Sequence, residues 1–163
     1  MKVNGWTLHA HECFIEQLTK LADIVERQQK KDPVGYVSKT QALVLASIYA
    51  LITDKIPADP SSSAFDQGMY LGKEHRHWKR AKFNERYRLF FLYQSSANEL
   101  IYAWVNDQNT LRKIGSKTDP YTVFTKMLGS GKVPNNWAGL LEAAATVDPE
   151  LDALIGQNEA RAA

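Results

Sequence analysis

The sequence predicts an α+β fold: two N-terminal helices packed on a small antiparallel sheet, a meander of three to four strands, followed by a C-terminal helix. Three observations carry that expectation. Apolar residues recur at helical spacing in the first third of the chain. From Trp78 to Val105 the chain is dense in aromatic and aliphatic strand formers, broken only by short polar turns, which join antiparallel rather than parallel neighbours. Asp119-Pro120 then opens a further helix, with proline near its first position.

In chain order, Val3 to Ala10 reads as extended, with Trp6, Leu8 and Ala10 alternating against Thr7, His9 and His11. From Glu12 the period changes to helical. Phe14, Leu18, Leu21, Ala22 and Val25 form one face, acids stand near the start, and Arg27, Lys30 and Lys31 stand at the end, as the helix dipole favours. Asp32-Pro33 and Gly35 stop it. A second helix is expected from Tyr36 to about Lys55, with Val37, Val44, Leu45, Ile48, Leu51 and Ile52 inward and Pro57 ending it. ADPSSSAFDQ is loop by composition, and Gly68 to Gly72 reads as a short strand. Strands follow at Trp78–Phe83, Arg86–Tyr93 and Glu99–Val105, with Asn84-Glu85 a tight hairpin loop. The helix from Pro120 runs through Leu128 to Gly129-Ser130-Gly131. Beyond Val133 the chain turns alanine-rich and acidic, with a short helix expected at Trp137–Thr146 or Pro149–Ile155 and frayed final residues.

The 163 residues suffice for one ordinary core. A lone cysteine, Cys13, excludes an internal disulfide and a multi-cysteine zinc site. No window approaches the roughly 18 apolar residues of a membrane span. The first residues show no signal-peptide pattern, so a cytoplasmic location without membrane partners is the default expectation.

Charge is distributed unevenly. Residues 71–126 hold 11 Lys+Arg against 5 Asp+Glu, while the remainder holds 9 against 13. The net +2 thus conceals a basic, aromatic-rich sheet on an acidic body, the footprint of a polyanion binder. Strand alternation places Arg80 and Lys82 on one face of their strand and Lys79 on the other. Arg86 and Arg88 share a face of the next strand, so Arg80, Lys82, Arg86 and Arg88 can crowd one sheet end. Like charges set opposite one another are unfavourable, which suggests that an anionic ligand offsets them. A merely solvated basic edge is the alternative. The segment NTLRKIGSKTDPY leads from the last strand and adds Arg112, Lys113, Lys117 and Tyr121.

Metal-free RNA cleavage needs a group to take the 2′-OH proton, cations on the phosphorane-like charge, and a donor for the leaving 5′ oxygen. This stretch offers such groups, and no carboxylate or histidine pair elsewhere suits the task better. The His9/His11 and His75/His77 pairs have strand spacing suited to metal, but no third ligand stands at a matching interval, so no metal and no other cofactor is expected. His75 and His77 are read instead as part of a basic, RNA-facing loop. Glycine-rich phosphate loops and serine-hydrolase motifs are absent.

The segments VNGW, HAHECF, DPSSSAF, W-x-R-x-KF followed by RYRLFFLY, WVND-x-NTLR and G-x-KTD-x-YTVF-x-KML together resemble the YhaV toxin family, over Val3 to Pro134. The resemblance implies a RelE-like domain at 1–134, followed by a tail at 135–163 of no assigned role. It implies a ribosome-associated mRNA endonuclease of a toxin–antitoxin module that works without metal. It also implies an antitoxin resembling PrlF, an AbrB-like protein, and contact with operator DNA only through that complex. By the same resemblance the strand pair falls on Arg80 and Lys82, the Tyr-Arg pair on Tyr87-Arg88, and a further Arg and a late Tyr on Arg112 and Tyr121. Arg80 and Arg88 are then expected to bind the scissile phosphate, Lys82 to clamp it or carry a proton, Arg112 to add a phosphate contact, and Tyr121 to position the nucleotide or pass a proton. Lys79, Arg86, Lys113, Lys117, His75 and His77 complete the expected RNA face. An RNA- or ribosome-binding module that blocks translation by occupancy is the competing reading.

Overall fold

The computed structural model describes residues 1–162. Its strands are β1 (Lys2–Val3), β2 (Trp6–Ala10), β3 (Lys79–Phe83), β4 (Tyr87–Gln94) and β5 (Glu99–Val105). Its helices are α1 (Glu12–Lys31), α2 (Thr40–Ala50), a single turn α3 (Ile56–Ala58), α4 (Pro120–Gly129), α5 (Trp137–Ala144) and α6 (Asp148–Ala162). The α+β class holds, but the sheet is larger than expected and mixed. Its order is β1-β2-β5-β4-β3. The antiparallel meander β3–β4–β5 is present, and β2 lies parallel beside β5, with Leu8 opposite Leu100. β1 returns on β2 through Asn4-Gly5, both at positive φ, the two-residue turn whose twist matches the strands.

Both faces of the sheet are covered. Leu8, Leu89, Phe91, Leu100 and Tyr102 face α1, α2 and α6. Trp78, Phe90, Leu92, Ile101 and Trp104 face α4 and α5. That is why β4 (YRLFFLYQ) is apolar in a continuous run rather than by alternation. A bulge opposite Phe90/Phe91 lets Ala103 and Trp104, adjacent in sequence, both join the second layer. There Phe124 of α4 stacks on Phe90 at 4.3 Å and meets Trp78 edge-on at 5.0 Å, which anchors α4 across the strands.

The second helical region departs from its expected form. Gly35–Ser38 is a 3₁₀ turn that leaves Val37 exposed rather than inward, and α2 begins only at Thr40. Pro57 has no N–H to donate and its ring crowds the preceding turn. The chain accordingly widens to a π turn at Leu51–Lys55, in which the Ile56 N–H reaches Leu51 O. This orphans the Ile52 carbonyl, and the buried Tyr102 hydroxyl donates to it at 2.8 Å. Gly68 to Gly72 is turn rather than strand, since both glycines take positive φ.

The tail expected after residue 134 is well formed. Leu140 and Ala144 of α5 pack into the α4 layer, whereas Leu151, Leu154 and Ile155 of α6 join the opposite core. Tyr49 donates to Leu154 O at 3.0 Å, and His9 bridges Asp148 and Glu99 at 2.7 and 2.6 Å. Helix α6 runs on to Ala162 instead of ending near Ile155.

His11 caps α1, its Nδ1 accepting the Cys13 N–H at 3.1 Å. Burial holds this imidazole below its ordinary value of 6.5. The unfolded chain therefore takes the proton first, and stability falls as pH drops below 6.5 toward the lower folded value. Asn at this position keeps a cap without titrating. His11→Asn should lose less melting temperature than the parent protein between pH 7.5 and about 5. Equal losses in scanning calorimetry would count against the burial argument.

Candidate active site

Strand β3 alternates Arg80 and Lys82 toward the α4 side and Lys79, Ala81 and Phe83 toward the other. On β4, Arg88 stands opposite Lys82 and Phe90 opposite Arg80, so both arginines enter the α4 layer beside the aromatic stack. The first turn of α4 then lowers Tyr121 between them. Its hydroxyl accepts a hydrogen bond from Arg80 Nε at 2.9 Å and from Arg88 Nε at 3.2 Å. Phe90 meets the Tyr121 ring edge-on at 5.6 Å and fixes its tilt.

The remaining donors of each guanidinium organise loops. Arg80 Nη1 donates to Ala64 O at 3.1 Å. Arg88 Nη1 donates to Glu85 O at 2.9 Å and Tyr87 O at 2.8 Å. These bonds hold a hairpin loop in which Asn84 and Glu85 both take positive φ, an uncommon conformation for a glutamate. The loop is three residues long because Arg86, expected in the strand, belongs to the turn.

Arg112 completes the cluster from the segment after β5. Asn106 anchors that segment: its side chain accepts the Arg88 N–H at 2.7 Å and donates to Arg86 O and Thr110 O. Arg112 N donates to Arg86 O at 3.0 Å, and Arg86 Nε returns a bond to Arg112 O at 3.1 Å. The Arg112 guanidinium lies 4.7 Å from the Tyr121 ring centre and 5.2 Å from that of Tyr70, which stacks on Tyr121 at 4.8 Å. Asp119, the N-cap of α4, accepts from Arg112 Nη1 at 2.8 Å, from Lys113 N at 2.8 Å and from Tyr121 N at 3.0 Å. One carboxylate thereby sets the helix start, the loop and the third arginine.

Arg80 and Arg88 are 6% and 8% exposed, and among the described residues neither has an ion-pair partner. Such burial of two unneutralised guanidinium groups side by side is costly, and their unused N–H donors suit an anionic partner. Lys82 is exposed beside them.

Other expected contacts fall elsewhere. Lys79 lies on the opposite face and pairs with Asp66. His75 is buried rather than in a solvent-facing loop: its Nδ1 meets Asn135 Oδ1 at 2.9 Å, which also accepts from Trp78 Nε1 at 2.8 Å. His77 is exposed and its Nε2 meets Asn135 O at 2.7 Å, so both histidines tie the loop before β3 to the loop before α5. Lys113 and Lys117 are exposed on the segment leading to α4. Among the described residues no three His, Cys, Asp or Glu side chains gather at metal-binding distance. Cys13 is buried with its thiol pushed up to about 11, and burial likewise raises Tyr87.

Sequence reasoning missed Tyr70, Asn106 and Asp119. Asp119 carried a signal, since Asp-Pro marks a helix cap, and Asn106 closes the WVN run just past β5. Tyr70 was hidden in the turn misread as a strand.

This fold and cluster define an α+β protein with a partly buried arginine–tyrosine centre on its sheet. Residues 8–145 match the YhaV toxin family, described as a toxin with endonuclease activity, of a toxin–antitoxin system. The chain is 45% identical over 141 residues to the ribonuclease toxin YhaV of Escherichia coli K12, covering 85% of this chain and 92% of that protein. It is also 45% identical over 143 residues to the toxin YhaV of Escherichia coli O6:H1 strain CFT073, covering 86% and 93%. No solved structure matches. The chain belongs to the YhaV family: it is an enzyme, a toxin with endonuclease activity, and a toxin of such a system has an antitoxin partner. Among the described residues no helix is long and apolar enough to cross a membrane.

Proposed function

We propose that this toxin cuts mRNA in the cytoplasm, in association with the ribosome and without a metal ion, from a RelE-like domain. The observation that carries the reading is the junction of Arg80, Arg88 and Arg112 on Tyr121, with Asp119 the single carboxylate paired with them among the described residues. A phosphodiester supplies the missing negative charge, and the name of the K12 relative points to RNA.

In the cleavage step the 2′ oxygen attacks the adjacent phosphorus, its proton passes to a base, and the 5′ oxygen departs with a proton from an acid. A 2′,3′-cyclic phosphate and a 5′-hydroxyl result. Arg80 and Arg88 neutralise the charge that builds on the phosphoryl oxygens, and being held already they need little reorganisation. Arg112 steadies a neighbouring phosphate. The Tyr121 oxygen already accepts two hydrogen bonds, so its own proton is the one it has left to give, which suits the acid. Lys82, across from Arg88 and exposed, is placed to accompany the phosphate and carry a proton. Arg86, Lys113 and Lys117 extend the basic surface toward the RNA strand. A divalent cation would enter this centre against at least two positive charges, so the guanidinium groups take its usual part. All residues given roles lie within 1–134, and the C-terminal helices brace the sheet from both sides. The antitoxin we expect is PrlF-like, meeting operator DNA as part of the complex.

Purified toxin incubated with mRNA, with and without ribosomes, tests this by mapping of 5′ ends. Cuts should leave 5′-hydroxyl ends and vanish when the ribose at the cut is 2′-deoxy, and those made without ribosomes should persist in EDTA. Cleavage of the deoxy substrate, or loss in EDTA of the cutting seen without ribosomes, would defeat the mechanism.

A further inference from the structure

Beside the arginine centre runs an open groove of about 650 Å³, between the Met69–Gly72 turn, the Arg112–Gly115 loop and α4. Three of the chain's large exposed apolar side chains line it: Met69 at 53%, Tyr70 at 61% and Ile114 at 84% exposure. Tyr70 is held in place despite its exposure, with one ring face stacked on Tyr121 and the Arg112 guanidinium 5.2 Å from its centre. Arg112 and Lys126 line it as cations, and Glu74 and Asp119 as carboxylates.

We propose that this groove is a nucleobase subsite, in which an unpaired base next to the bound phosphodiester stacks on Tyr70. The proposal rests on the reading of the arginine cluster as the phosphodiester site. A rigid, exposed aromatic ring flanked by cations is the chemistry that holds single-stranded nucleic acid, since every base offers a π face. The groove is continuous with the centre through the Tyr121 ring, whose hydroxyl joins Arg80 and Arg88 and whose face carries Tyr70. A chain whose phosphate sits on the arginines thus finds its next aromatic surface at Tyr70. A duplex cannot use it, because its bases are already stacked and its phosphates lie outside them. Asp119 lies in the groove with both carboxylate oxygens already accepting hydrogen bonds, so it holds Arg112 and the α4 start instead of meeting the base.

The test uses the full-length toxin and a short RNA fully 2′-O-methylated, hence uncleavable, with 2-aminopurine placed at successive positions. Quenching should be strong at one position, disappear in Tyr70→Leu and Tyr70→Gln, and return in Tyr70→Trp. With cleavable RNA, the same two losses should raise KM about tenfold and move kcat less. Melting temperatures of both variants should match the parent, since the ring is exposed. If cutting survives Arg80→Ala while quenching still depends on Tyr70, the reading of the arginine centre falls and the subsite stands. If cutting depends on Arg80 while Tyr70→Leu and Tyr70→Gln quench and cleave like wild type, the subsite alone is overturned.

Discussion

Arg80→Ala should abolish growth inhibition on expression and reduce RNA cleavage by at least about 100-fold, the usual cost of removing one oriented donor from a developing anion. Folding should survive. Among the described residues Arg80 is buried without a carboxylate partner, so its loss also removes an uncompensated charge, and the two effects on stability oppose each other. The melting temperature is therefore expected to stay close to that of the parent. Arg80→Lys should fail nearly as badly. The bonds to the Tyr121 hydroxyl and to Ala64 O come from two separate nitrogens of the planar guanidinium, and the single nitrogen of an ammonium cannot occupy both positions. The double variant Arg80→Met/Arg88→Met should be inactive and melt higher than wild type, because methionine fills the space without the mutual repulsion of the two cations. Full toxicity of Arg80→Ala would take this residue out of the mechanism, and a lower melting temperature of the double variant would contradict the claim that the site is held under electrostatic stress.

The parts of this centre that sequence made visible are those governed by short-range rules. Alternation along β3 separates Arg80 from Lys79, and the Asp119-Pro120 cap dates the start of α4 to the residue. What escaped was set by distant partners. The parallel pairing of β2 with β5 joins segments about 90 residues apart, and nothing in WTLHA announces the neighbour it chooses. β4 is apolar on both faces because helices cover the sheet on both sides, and two of them, α5 and α6, come from an alanine-rich segment whose packing partners lie far back in the chain. His75 looked like part of a basic loop because its neighbours are Lys73, Glu74, Arg76 and His77. Its burial depends on Asn135, which arrives 60 residues later. Tyr70 was misread for a local reason: Met-Tyr-Leu imitates a strand, and the flanking glycines at φ +64° and +99° bend it into a turn.

Tyr121→Phe removes one oxygen and leaves the rest of the centre in place, so it isolates the hydroxyl. The phenyl ring should still stack on Tyr70 and Arg112 and pack edge-on to Phe90. Arg80 Nε and Arg88 Nε, however, lose their common acceptor in a buried setting, at a cost of about 1–3 kcal/mol in stability. If the hydroxyl only spaces the arginines, cleavage should fall modestly and show up mainly in KM. If it donates the proton to the leaving 5′ oxygen, kcat should fall by about 100- to 10,000-fold, the range for a general acid. A substrate whose 5′ oxygen is replaced by sulfur needs no such proton, so it should restore most of the lost rate in Tyr121→Phe and little in Arg80→Ala. Equal loss on both substrates would leave Tyr121 as a positioning residue and move the acid to another group, with Lys82, exposed and paired across the strands with Arg88, the next to test.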